Sequence, residues 1–148
     1  MRDLDVEKTV SILDQILGQE LAGVVRYTHY ALMVTGPNRL PIVDFMKAQA
    51  TESLMHAQQV GEILTGLGGH PSLSVAPLEE TFKHSLLDIL TESLNHERKA
   101  VSLYISLLET VDNASIYLEE FARNMVSQEE VHQMELKKML RDYSDAPA

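Results

Sequence analysis

Glu129-Glu130-Val131-His132 places a carboxylate and an imidazole three residues apart within an apolar stripe of Leu118, Ala122, Met125, Leu136 and Leu140. At about 100° per residue, positions three or four apart share one helix face, so both side chains can reach one ion. Glu52-Ser53-Leu54-Met55-His56 repeats the pairing with one more residue between its members. Glu20 and Glu97 stand alone in two further stripes. A single Glu-x-x-His is weak evidence, because both residue types are common on solvated helix faces. Four glutamates, each flanked by apolar neighbours at helical spacing, are another matter. A buried carboxylate costs several kcal/mol unless something neutralises it, so four converging in one core require cations.

Outward from these residues the pattern is helical, with period 3.6 between well-separated turn signals. The first helix is predicted from about Asp5 to Val34, with Leu13, Ile16, Glu20, Val24, Tyr27 and Ala31 on one stripe. It ends at Thr35-Gly36-Pro37-Asn38. The second starts after Asn38 and carries Phe45, Ala48, Glu52, His56, Gln59 and Ile63. After Gly66-Leu67-Gly68-Gly69 comes a linker, His70 to Pro77, long enough to cross a whole bundle. The third helix is predicted from Leu78 or Thr81 to Thr110, with Leu90, Leu94, Glu97, Val101, Tyr104 and Leu108 inward and Glu79 and Glu80 at its positive end. A break near Asp112-Asn113 precedes the fourth, and Ser144 to Ala148 should fray. The fold class is therefore an all-α four-helix bundle with a long crossover between helices 2 and 3.

The halves echo one another. Glu20 and Glu97, Tyr27 and Tyr104, and Glu52 and Glu129 are each 77 positions apart, which argues for a pseudo-twofold site. Four carboxylates and two neutral imidazoles, His56 and His132, balance two divalent ions. So hard a donor set suits iron, with manganese as the alternative. Tyr27 and Tyr104 lie two turns after Glu20 and Glu97 and are assigned as hydrogen-bond donors to ligating carboxylates. His29, His70, His84 and His96 lie off the metal stripes and are assigned surface or interface roles.

At 148 residues and 45% hydrophobic content, the chain has the size of one domain with one core. A net charge of -10 is the wrong sign for gripping nucleic acid. Neither a membrane span nor a secretory leader is read, so a cytoplasmic protein is expected. With no cysteine, a metal must use oxygen and imidazole.

From Val6 to Met139 the chain resembles the ferritin-like superfamily, and it is most similar to bacterioferritins. The likeness rests on Gly18-Gln19-Glu20-Leu21-Ala22 with Tyr27, His56-Ala57, Leu67-Gly68-Gly69-His70-Pro71-Ser72-Leu73, and Glu129-Glu130-Val131-His132. It implies Glu20 and Glu97 as terminal ligands, Glu52 and Glu129 as bridging carboxylates, and His56 and His132 as one nitrogen ligand to each of two irons. The implied activity is that of a ferroxidase, oxidising Fe(II) to Fe(III) with O2 or H2O2 for iron storage or detoxification. Ser53 stands where the family has a glutamate three residues before histidine. It also follows Glu52 where a haem-binding methionine would, so the resemblance does not extend to haem. The family's short fifth helix is not matched, which leaves a 24-subunit cage open. A second apolar stripe, Leu17, Leu21, Val25 and Leu32 with Met46, Ala50, Leu54 and Val60, predicts a homodimer through helices 1 and 2. The rival readings are a manganese catalase, a rubrerythrin-like peroxidase and a non-enzymatic helical interaction module.

Overall fold

The computed structural model describes residues 3–144. Among these are four α-helices: α1 (Val6–Met33), α2 (Arg39–Gly66), α3 (Leu86–Val111) and α4 (Ile116–Ser144). Helix α1 packs on α2 and α3, and α3 packs on α4. The tail expected to fray, 145–148, lies outside the described residues.

Side-chain caps mark where α1, α3 and α4 start, whereas Asn38 before α2 makes no side-chain cap bond. The Asp5 carboxylate accepts the Lys8 N–H at 3.0 Å. The Ser85 hydroxyl accepts the Asp88 N–H at 3.1 Å, and the Ser115 hydroxyl accepts the Leu118 N–H at 3.2 Å. Each satisfies a donor that a helix N-terminus leaves unpaired. The Arg39 guanidinium donates back to the carbonyl of Ala31 at 3.2 Å, satisfying an acceptor at the end of α1. Helix α2 ends at Gly66, and Gly68 just beyond it takes the left-handed φ of 84° that glycine adopts most readily.

Two expectations are corrected. Helix α3 begins at Leu86 rather than at Leu78 or Thr81, so Glu79 and Glu80 belong to the crossover. The Glu80 carboxylate accepts the Phe82 N–H at 2.7 Å, and Phe82 sits at φ 57°. That local turn competes with helix, and Ser85 is the first effective cap. The second correction concerns the face of α2. Its buried positions are Ile42, Val43, Met46, Ser53, His56, Ala57, Val60, Ile63 and Leu64, whereas Ala48 and Gln59 are exposed. Of the expected stripe, His56 and Ile63 are buried and Phe45 and Glu52 half-buried, while Met46 and Val60, expected on a dimer face, lie in the interior.

Hydrophobic residues form two clusters. One holds Leu13, Ile16, Val60, Leu64, Tyr104 and Met125. The other holds Tyr27, Ala31, Met46, Leu90, Leu94 and Leu136. Between these positions along the helices lie Glu20, Ser53, His56, Glu97 and Glu129, a buried polar layer inside an apolar bundle. The crossover is tied to α1 by the Ser72 N–H on the Asp14 carboxylate at 2.9 Å and by the Ala76 N–H on the Gly18 carbonyl at 3.1 Å.

Candidate metal centre

Each helix contributes to the polar layer from its middle, where backbone groups are already paired and only side chains can meet the charge. Two groups of convergent donor atoms result. Glu20, His56 and Glu129 form one, and Glu97, Glu129 and His132 the other. Glu129 belongs to both. Its Oε1 lies 3.6 Å from His56 Nδ1, and its Oε2 lies 3.6 Å from His132 Nδ1. His56 Nδ1 is also 2.8 Å from Glu20 Oε2, and His132 Nδ1 is 3.9 Å from Glu97 Oε2.

Gln128 orients one ring. Its Oε1, which can only accept, lies 3.2 Å from His56 Nε2. The Nε2 proton is therefore committed outward, leaving Nδ1 to face the carboxylates. A lone pair opposite a carboxylate oxygen demands something positive between them, a proton or a metal ion. Three atoms of this layer are buried without a hydrogen-bond partner: Glu20 Oε2, Glu129 Oε2 and His132 Nδ1. Unpartnered buried acceptors are costly and rare, and here they all point at one place. The donor set thus fits a pair of divalent ions held by oxygen and imidazole.

The ferritin-like domain family matches residues 10–146. The chain belongs to the ferritin-like family. Among solved structures it is similar to a ferritin-like, diiron-carboxylate protein of Bacillus anthracis str. Ames, with a TM-score of 0.87 and 23% identity over 95% of this chain and 99% of that one. It is also similar to the bacterioferritin-related protein of Bacteroides fragilis, described as a dodecameric thioferritin, with a TM-score of 0.88 and 22% identity over 95% and 89%. The Desulfovibrio desulfuricans bacterioferritin, described with a diiron site, matches with a TM-score of 0.81 and 19% identity over 95% and 82%. No curated protein matches in sequence. Among the described residues, no helix of this ferritin-like chain is long and apolar enough to cross a membrane.

Electrostatics within the layer follow from burial. Desolvation raises the Glu20 carboxyl, which His56 only partly offsets. Desolvation and the adjacent Glu97 raise Glu129 far more. Burial would raise Glu97 too, but the neighbouring Glu129 and His132 and the Tyr27 hydroxyl outweigh it and hold Glu97 low. A proton between the two buried carboxylates is thus favoured, since it relieves their repulsion. His132, beside Glu129 and Glu97, is raised to about 10. In the metal-free protein these protons supply positive charge that metal ions would otherwise bring.

Glu52 is placed differently from the others. Its side chain is 31% exposed, and its oxygens lie 3.6 Å from His56 Nε2 and 3.2 Å from His132 Nε2, on the outer edges of both rings. Helix α2 is continuous through this point, so no distortion turns Glu52 inward. Tyr27 donates its hydroxyl to Glu97 Oε1. The Tyr104 hydroxyl, equally buried, has no such partner.

His96 is buried, contrary to its expected surface role. The Gln19 amide donates to its Nδ1 at 3.1 Å, and burial lowers the imidazole to about 4, so it is neutral. Gly23 permits this packing. A Cβ there would lie 2.6 Å from Ser53 Oγ and 2.9 Å from His96 Nε2. Sequence reasoning missed Gln19, Ser53, His96 and Gln128. The 77-residue separation of Gln19 from His96, the same as that of Glu20 from Glu97, was the available signal.

Proposed function

We propose that this chain binds two divalent ions at Glu20, His56, Glu97, Glu129 and His132, iron in the first place and manganese as the alternative, and acts as a ferroxidase for iron storage or detoxification. Two ferrous ions bound there supply two electrons, which with two protons reduce O2 to H2O2 or H2O2 to two waters. The observation that carries this reading is the division of Glu129, one oxygen toward each imidazole Nδ1.

The residues have separate tasks. Glu129, common to both groups, would be shared by the two ions, and Glu20 and Glu97 would each hold one of them. His56 and His132 contribute Nδ1. Tyr27 fixes Glu97 Oε1, leaving Oε2 for the ion. Glu52 lies outside the rings, its Oε2 3.2 Å from His132 Nε2, and orients that ring rather than bridging. Buried unpartnered acceptors count against the helical interaction module, which would gain nothing from them.

Val25, Leu32 and Leu54, exposed on α1 and α2, remain as the apolar face for a homodimer. Light scattering tests that part. The chemistry is tested by anaerobic Fe(II) titration followed by rapid mixing with O2 and, separately, with H2O2. Two ions per chain and oxidation much faster than in buffer are expected. A protein binding no ferrous ion, or oxidising it at the buffer rate, would overturn the proposal. Peroxide disproportionation by manganese-loaded protein, without ferrous oxidation, would favour the catalase reading.

A further inference from the structure

Outside the polar layer, a second cluster of ligand-type side chains sits where the crossover meets α1. His29, on α1, places its Nε2 3.1 Å from Nε2 of His84. The Glu80 carboxylate closes the triangle, with Oε2 3.0 Å from His29 Nε2 and Oε1 3.5 Å from His84 Nε2. These three residues form a group that could hold a metal ion, and none of them belongs to the two groups in the core.

The spacing admits a small divalent ion. A tetrahedral ion with bonds of about 2.0–2.1 Å sets its ligand atoms about 3.3 Å apart. The three separations bracket that value. Two imidazole nitrogens and one carboxylate oxygen, with the fourth direction open to solvent, also form the donor set that first-row divalent ions prefer. Hydrogen bonds among the three groups suit the 3.0 and 3.1 Å separations equally, so metal titration rather than distance tells the two apart.

The crossover is shaped to present the cluster. Phe82 adopts a left-handed φ of 57°, and its N–H closes onto Glu80. The Thr81 hydroxyl donates to Glu92 of α3 at 2.9 Å, anchoring the turn. Left-handed backbone is unfavourable for a non-glycine residue, so the turn is held by its contacts rather than by its own preference.

We propose that His29, Glu80 and His84 form a surface site for a zinc-class divalent cation, which staples the crossover to α1. Metal-stripped full-length protein titrated with Co2+ and Zn2+ tests it, alongside the double variant His29→Ala/His84→Ala. Wild type should bind one more equivalent than the variant, with a tetrahedral Co2+ absorption band that the variant lacks. Zn2+ should also slow chymotryptic cleavage after Phe82, which is 82% exposed, in wild type alone. Equal stoichiometry in the two proteins, or cleavage indifferent to Zn2+, would overturn the site. Fe(II) oxidation, recorded on both proteins, reports on the core alone, so the two proposals fail separately. If the variant does not fold, Zn2+-soaked crystals of wild type decide: anomalous density among the three side chains supports the site, and its absence removes it.

Discussion

The two halves of the bundle, α1 with α2 and α3 with α4, repeat one design and diverge at a single residue. Helix α4 has Glu129 three before His132, and α2 has Glu52 four before His56. Relative to its histidine, a residue three back lies about 60° to one side and a residue four back about 40° to the other. Ser53 therefore occupies the position in α2 that Glu129 holds in α4, and it is buried as Glu129 is. Glu52 is turned to the rim, 31% exposed against 3% for Glu129. One added residue moves a carboxylate from between the two imidazole Nδ1 atoms to the outer edges of the rings.

The largest expected effect separates these two glutamates. Residues that orient metal ligands cost roughly 10–100-fold when removed, and a shared ligand should cost more. Glu129→Ala is expected to lower the Fe(II) oxidation rate by more than about 100-fold, and Glu52→Ala by about tenfold, with both folds intact by circular dichroism. Equal losses would show that Glu52 bridges in the loaded protein. The exchange Glu52→Ser/Ser53→Glu sharpens the contrast, since it gives α2 the spacing of α4. Tighter binding of the second ferrous ion is expected if the Gly23 gap admits the longer side chain.

The same slip marks the limit of what the sequence could show. Four helices, the crossover and the inward stripes of α1, α3 and α4 were legible, because in each an apolar period surrounded the polar residue and fixed its phase. In α2 two apolar stripes competed. A phase set by Glu52, the chemically conspicuous residue, puts Met46 and Val60 on an outer face, although both are fully buried. A serine gives no signal of standing in a glutamate's place. His29 and His84 were equally hidden, because α1 and the crossover meet only in three dimensions, across 55 residues.

A smaller effect should appear in the pH dependence of the metal-free protein. His132 is raised from about 6.5 to about 10. Its contribution to stability is full below the unfolded value and is lost as pH climbs through about 10. Glu129 is raised too and acts in the same direction from its own lower starting point. His96 opposes them, since it is lowered to about 4 and its contribution disappears as pH falls from about 6.5 toward that value. Glu97, also lowered, adds to the acid loss. Thermal melts without metal should therefore peak near neutral pH and fall on both sides. Ferrous or manganous ions should flatten the alkaline arm, because they replace the protons that the layer would otherwise lose. An alkaline arm unchanged by metal would detach these groups from ion binding.

The tyrosines give the smallest and cleanest test of the symmetry. Tyr27 and Tyr104 are both fully buried and 77 positions apart, yet only Tyr27 finds a carboxylate. A hydrogen bond to a charged group is worth about 1.5–3 kcal/mol, whereas removing a buried hydroxyl that has no partner is close to neutral. Tyr27→Phe should destabilise the protein by about 2 kcal/mol and loosen Glu97. Tyr104→Phe should stay within about 1 kcal/mol of wild type in denaturant unfolding. A large loss from Tyr104→Phe would mean that its hydroxyl does engage a group in the folded protein, with Glu20, the counterpart of Glu97, as the natural acceptor. The pseudo-twofold would then be more complete in the tyrosines than in the glutamates. Neutrality at Tyr104 beside a loss at Tyr27 would place the asymmetry of α2 in the hydrogen bonds of the layer as well as in its carboxylates.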